Sequence, residues 1–594
     1  MNKTYLYAAL AAGASVLVGT HSSLVGATLS AEQLKALDPT AVGRSVCRGI
    51  GIPGEALDQR LAIAQSYSAS LGMGLASMPL YDEIMPTQLP TGGLTGEARR
   101  FFDQGMALSY GFNHAGGIRA FREAASRAPD CAMCWWAIAM ANGPNINAPM
   151  GEAQNAAALA ALAKAEALAN AGSAEAELIA IQKLRFSPDP AADRGVLDKA
   201  YADAMLANAA ANPDNDDIAV LAAESAMTTT AWYYWDDVSK EPQPRIGEAV
   251  SLIQRVVDRN PRHPQASHLY IHLMENGPDP LMAEKAADSL AASAPSALGH
   301  LVHMPSHIYY RIGRYADSMR SNIAGARADE KYLQTVGDDG LYRYGYYPHN
   351  VHFLLTSAQM VGNMHAVSQE SARLKSILSV EAAQNMSWVQ AIHAAPGFAL
   401  AQFASPAAIL ALTDEPSPLA YVEAMRHYSR ALAYTYAGDD DGFADEIASL
   451  DAQETAANVV VMREQGFPAP DIVRLASHVA RGKYASSKGR HAEAVAHFEA
   501  AEEIEAMIPY NEPPYWYYPV AQSRGAALYL SGDYDAASTA FRKALFKAPN
   551  SGWALYGLMK SERKIGRKAE AAAAKAKLDE VWQGESSWLK MERL

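Results

Sequence analysis

The feature that most limits what this chain can fold into is a repeat with a period of about 34 residues. Near the C-terminus Gly525, Gly532, Ala537, Phe541, Ala544 and Pro549 fill one unit. Gly566 follows Gly532, and Ala571 follows Ala537, each by one full period. Gly482, Gly489, Ala494, Phe498 and Ala501 make the unit before. Gly105, Phe121, Ala124 and Pro129 stand in the same order early in the chain, and Trp135 follows Phe101 at that same spacing. The order has a physical reading: a small residue lets two helices approach, an aromatic plugs the second helix, and Pro stops it. One helical hairpin cannot bury its own apolar face, so hairpins of this kind stack. At 594 residues a single compact domain is not expected, and an extended array suits the length.

The middle of the chain carries the pattern in degraded form. Pro213, Pro261 and Pro295 close helices near the place of Pro129, and Gly313, Gly362 and Gly438 fall at inter-helix turns. Insertions interrupt it: Gly143-Pro-Asn-Ile-Asn-Ala-Pro149, an Ala-rich helical stretch over 154–182, the aromatic loop Trp232-Tyr-Tyr-Trp235, and Gly337 to Tyr347. The aromatic loops read either as ligand-lining or as plugs. This pattern resembles the tetratricopeptide repeat (TPR) family. The resemblance implies an all-α, TPR-like α-solenoid, a superhelix of helical hairpins with helical and loop insertions. The expected organisation is a signal peptide over 1–27, a capping leader over 28–95, an elaborated repeat region over 96–380, degenerate helices over 381–470, and C-terminal repeats over 471–594.

The second conspicuous feature is histidine. Nine of the 16 histidines fall between His263 and His365, where an even spread would put roughly three. The repeat frame serves as a ruler for them. If Gly313 is a turn glycine at the fifteenth position, His300, His303 and His307 are positions two, five and nine of their unit. If Pro261 closes a unit, His268, His272 and Glu275 are positions five, nine and twelve of the next. The same reasoning puts His349 and His352 at positions two and five, and Glu224 at nine. Residues three or four apart share one helical face, and neighbouring helices pack at about 8–10 Å. The resemblance implies that this face lines the concave groove.

Three accounts compete for this patch. The first is a transition-metal site for zinc, copper or iron, held by His268, His272, Glu275, His300, His303, His307, His349, His352 and Glu224. In its catalytic version Glu224 or Glu275 is a candidate base or bridging ligand. The second is a polar groove for a small-molecule or peptide ligand or a protein partner. The third is a set of hydrogen-bonded packing residues. Trp136, Met106 and Met140 fall on groove positions of the first units, as an apolar wall or plain core. Asn113 and His114 read as turn caps, Pro513 to Tyr518 as a packed corner, and Gly438 to Asp441 as a solvated turn.

Several phrases together look like a group of exported or cytosolic bacterial TPR proteins. They are Ala223-Glu224-Ser-Ala-Met227, His268-Leu-Tyr-Ile-His272, Gly299-His300-Leu-Val-His303-Met-Pro-Ser-His307-Ile-Tyr, Gly313-Arg-Tyr315 and Tyr347-Pro-His349-Asn-Val-His352. Tyr110-Gly-Phe-Asn-His114 and Cys131-Ala-Met-Cys134-Trp-Trp belong with them. The resemblance transfers no reaction.

Other classes are disfavoured. The net charge of -14 comes with no basic block, which argues against nucleic acid. No phosphate loop or dinucleotide fingerprint appears, so no nucleotide cofactor is expected. Lys3, the apolar run Tyr5 to Val18 and Val25-Gly-Ala27 read as a secretory signal. A mature chain starting near Thr28, with no membrane span, is expected in the periplasm or outside the cell. Of three cysteines, Cys131 and Cys134 form a Cys-x-x-Cys that suits a disulfide, a metal or inert packing, and Cys47 stands alone.

Overall fold

The computed structural model describes residues 78–147, 149–236, 239–336, 342–385 and 387–594. The expected signal peptide, Cys47, most of the leader and residues 337–341 of the last insertion lie outside them. Among the described residues the chain is built from α-helices and short 3-10 and π turns, with an isolated bridge between Trp235 and Pro242.

Consecutive helices pair as antiparallel hairpins. Gly96–Tyr110 packs on His114–Arg127, Ala469–Ser487 on His491–Met507, Ala521–Ser531 on Tyr534–Lys547, and Gly552–Ile565 on Lys568–Val581. The sequence pattern explains the contacts. A Cβ built on Gly105 would meet the Phe121 ring at 2.4 Å, and one on Gly482 the Phe498 ring at 2.6 Å. The Phe541 ring sits against both Gly525 and Gly557. Turns are set by Gly313, Gly362, Gly438, Gly532 and Gly566, whose φ values of 73° to 92° need no Cβ. N-caps follow the same economy: Asn113 accepts from Gly116 N at 2.7 Å, and Asp533 from Ala536 N at 3.1 Å.

Insertions settle into defined places. The Ala-rich stretch is two helices, Glu152–Leu168 and Ala174–Lys183, separated at Gly172, whose φ is +78°. Tyr515, Trp516, Tyr517 and Tyr518 are all buried, as a packed corner should be. Asp439 caps the Asp440–Glu454 helix through Gly442 N. Trp136 and Met106 are fully buried in the N-terminal core. Cys131 and Cys134 form a disulfide at the start of the Ala132–Asn142 helix.

Two large apolar cores divide the chain, with a small third cluster around Tyr310, Tyr315 and Phe353. One gathers residues from Met78 to Tyr346, the other from Ala326 to Leu594. The last repeats return to the middle: Trp553 Nε1 donates to Gln359 O at 2.8 Å, and Gln583 N to Val361 O at 2.8 Å. The histidine-bearing helices lie where the two cores meet. Among the described residues no helix is long and apolar enough to cross a membrane.

Candidate metal centre

Three helical segments carry the site. Pro264–Met274 starts with His263 as N-cap and Pro264 at its first position, where a missing N–H costs nothing. His268 and His272, four residues apart, share its inner face, and Glu275 follows as its C-cap. The next unit is split into Gly299–His303 and Pro305–Arg311. Pro305 has no N–H to donate, yet Met304 keeps helical angles (φ -52°, ψ -36°), so His300, His303 and His307 stay on one face. Tyr347–Met360 brings in His349.

These helices approach closely because of two glycines. A Cβ on Gly299 would lie 1.9 Å from Asp329 Oδ1, and one on Gly325 would lie 2.9 Å from the Cβ of His303. Gly325→Ala is therefore expected to push the 315–336 helix off His303 and cost about 1–3 kcal/mol of stability. Urea unfolding of the variant checks this, and an unchanged midpoint would show that the neighbouring backbone gives way freely.

The histidines form two adjoining triads. His268, His272 and His300 offer ligand nitrogens all within 4.8 Å of one another, and so do His303, His307 and His349. His349 is half-buried; the other five are buried. Burial holds the imidazoles of His268, His300, His303 and His349 well below their ordinary value, so they are neutral. Burial also lowers His272, against a counter-pull from Glu275.

The outer nitrogens are fixed by acceptors. His268 Nδ1 faces Gln265 Oε1 at 3.0 Å, and Gln265 Nε2 donates to Glu224 Oε2 at 3.0 Å. His303 Nδ1 faces Asn322 Oδ1 at 2.6 Å, and Asn322 Nδ2 donates to Ser318 O at 2.9 Å. Glu275 serves both triads: Oε1 lies 2.7 Å from His272 Nδ1, and Oε2 lies 2.6 Å from His307 Nδ1. Each of these Nδ1 atoms must therefore carry the proton, which leaves Nε2 as a bare lone pair pointing inward. His272 Nε2 is buried with no partner, as is His300 Nδ1. His268 and His300 bring their Nε2 atoms to 3.1 Å, and His303 and His307 bring theirs to 2.9 Å.

His300, whose Nδ1 has no acceptor, can carry its proton on Nε2 and donate it to His268. His303 and His307 have both Nδ1 atoms tied, and two bare lone pairs that close repel unless a cation lies between them. Burial would lower His307, but the Glu275 carboxylate outweighs it and raises the imidazole above its ordinary value. Without a metal, the cation is a proton on His307 Nε2, donated to His303. Burial would likewise raise the Glu275 carboxyl, but His307 and His272 hold it well below the usual carboxylate range.

Residues from far along the chain close the site. Tyr510 OH donates to Glu275 Oε2 at 3.2 Å and lies 3.0 Å from Glu512 Oε1, whose carboxyl burial pushes up to about 7 against the pull of Arg311. Arg311 Nε donates to the Glu275 carbonyl at 2.8 Å. Phe112 packs on His268, His272 and His300, and Phe353 on His303, His307 and His349. Trp232 stands edge-on to His272 at 5.0 Å, and Tyr346 to His300 at 4.9 Å, so two of the aromatic insertions do line the cluster.

The expected residues thus take different places. Six histidines converge, Glu275 stands behind two of them, and Glu224 stands one residue further back, through Gln265. His352 turns the other way, with Nε2 2.6 Å from Tyr517 OH, and burial lowers it to about 3. Glu224 also borders a cavity of about 20 Å³ with Tyr110, His114, Arg185 and Tyr201. Met140 lines that cavity rather than an open groove. Gln265 and Asn322 are readable in hindsight from helical register. Tyr510 and Glu512 left no signal, because nothing in the sequence ties them to the histidines; Phe112 stands in the Tyr110-Gly-Phe-Asn-His114 phrase but is not singled out by it.

No protein-family model matches the chain, and no curated protein sequence does. Solved structures do match it. A human IFIT1 dimer with m7Gppp-AAAA is 11% identical, over 84% of this chain and 98% of its own, with a TM-score of 0.28. Yeast Tom70 is 11% identical, over 94% of each chain, with a TM-score of 0.25. The TPR domain of P58(IPK) is 13% identical, over 80% of this chain and 99% of its own, with a TM-score of 0.21. The paired helices, turn glycines and glycine–phenylalanine contacts make this chain an all-α, TPR-like solenoid.

Proposed function

We propose that this chain is a TPR-like protein whose central helices hold transition-metal ions. One observation carries the reading: four imidazoles have Nδ1 fixed by acceptors, so their bare Nε2 atoms converge inside a closed site. Metal-ligating histidines are held in this way, with the second nitrogen bound to a carboxylate or amide oxygen that sets the tautomer. A buried nitrogen with no partner, such as His272 Nε2, is costly unless something fills the gap. Simple packing histidines would use both nitrogens, and His272 does not.

The role built on that metal is metal handling or metal-dependent catalysis. The aromatic cover and the small adjoining cavity support handling, since bulky substrates have no open approach to the triads. In a catalytic role Glu224, beside the cavity, would be the group nearest a small substrate. We also propose export, as residues 1–27 suggest; the Cys131–Cys134 disulfide supports an oxidising compartment.

Elemental analysis of the purified protein tests the metal reading. Near-stoichiometric zinc, copper or iron is expected, lost when His272→Ala and His303→Ala are combined, with helical content by circular dichroism retained. A protein that stays metal-free on titration overturns the reading and leaves a scaffold for a peptide or protein partner in its place.

A further inference from the structure

The two triads differ from a generic metal site in their charge. We infer that they form one dinuclear centre for copper(I), with each ion held by three imidazoles. This rests on the metal reading above. The donor groups of the triads are six imidazoles, with no carboxylate or thiolate. Both oxygens of Glu275 are engaged by Nδ1 atoms, and Glu224 is engaged by Gln265, so neither is free to enter a coordination sphere. The ligands therefore bring no charge of their own.

Spacing then limits the ions. The ring centres of His272 and His307 are 5.8 Å apart, and those of His300 and His303 are 6.0 Å apart. Ions in the two triads would be near neighbours with little water between them to screen the repulsion. Coulomb repulsion follows the product of the charges, so it is about fourfold greater for two divalent ions than for two monovalent ones. Glu275 and Glu512 stand against the centre, and Arg311, which lies against both residues, offsets part of their charge; the buried Asp329 behind Gly299 accepts from Asn350 Nδ2 at 2.6 Å. Two monovalent ions already use up that negative charge; two divalent ions far exceed it.

Coordination number points the same way. Copper(I) is content with three nitrogens. Zinc with three histidines keeps a fourth position for water, and a buried water needs polar partners. The rings packed on the triads here are Phe112, Phe353 and Trp232, and the polar Tyr510 hydroxyl nearby already contacts Glu275 and Glu512. Imidazole suits copper well.

The test is a pair of titrations on the full chain stripped of metal. Copper(I) is added without oxygen against bicinchoninate as competing chelator, and zinc is added against a coloured zinc indicator. Two copper(I) ions per chain are expected, with constants within about tenfold of each other, while a second zinc binds at least about a hundredfold more weakly than the first. X-ray absorption of the copper(I) form is expected to show three nitrogen neighbours per ion. His349→Ala is expected to leave one tight copper(I). One copper(I) per chain in the unaltered protein overturns the proposal. Two zinc ions of similar affinity overturn it too, but leave the metal reading intact. Binding of neither metal overturns both.

Discussion

Glu275→Ala is expected to lower the unfolding free energy by about 3–5 kcal/mol, the range for removing one member of a buried charged pair. The carboxylate lies 2.7 Å from His272 Nδ1 and 2.6 Å from His307 Nδ1, and 1% of the residue is exposed. Its loss leaves two buried N–H donors and the Tyr510 hydroxyl without that acceptor. It also removes the charge that keeps a proton on His307, so the His303–His307 contact becomes repulsive. Glu275→Gln separates the two effects: the amide keeps the volume but turns an N–H₂ toward one of the imidazoles. It is expected to cost less stability than alanine, yet weaken metal binding by about 10–100-fold, as loss of a partner behind a ligand does. Urea unfolding followed by tryptophan fluorescence, beside metal titration of each variant, reads both quantities. A loss below about 1 kcal/mol for alanine would mean that water replaces the carboxylate and that the site is not closed.

Metal removal is expected to act on a similar scale. A ligand that binds only the folded state stabilises it by about 4 kcal/mol at a thousandfold excess over its dissociation constant, and two independent sites would double that. Adding a strong chelator to the loaded protein is therefore expected to lower the melting temperature, and readdition of metal to restore it. The loss should be local. Amide exchange is expected to quicken in the Pro264–Met274 and Pro305–Arg311 helices, which carry the ligands, and to stay unchanged in Gly552–Ile565 and Lys568–Val581. Exchange that quickens only in the distant helices would place the metal elsewhere.

The repeat was legible because its signals are local. Gly313 and Gly362 are at positive φ, as turn glycines should be, and Phe121, Phe498 and Phe541 fill the gaps that Gly105, Gly482 and Gly525 leave. With the frame set, seven histidines fall on one face by arithmetic alone, and six of them meet. The frame was less informative at its edges. His349 and His352 share a helix and both sat on the expected face, but three residues turn the chain by about 300° rather than a full circle. That difference swings His352 onto Tyr517 while His349 meets His303. The face expected to line a concave groove is covered over. Tyr510 and Glu512 arrive from within the C-terminal repeats, between the His491–Met507 and Ala521–Ser531 helices, and Trp232 and Tyr346 fold over from insertions.

The helical hairpins, their order and the face on which the histidines stand were all written in the amino-acid order. They follow from φ preferences, side-chain volume and the helical period, which act within one or two turns of chain. Three features required the assembled fold: one carboxylate serves two triads, Asn322 and Gln265 set the tautomers, and aromatic rings seal the site. Such pairings depend on where separate helices come to rest. A shift of about an ångström there makes or breaks a hydrogen bond while leaving every local preference satisfied.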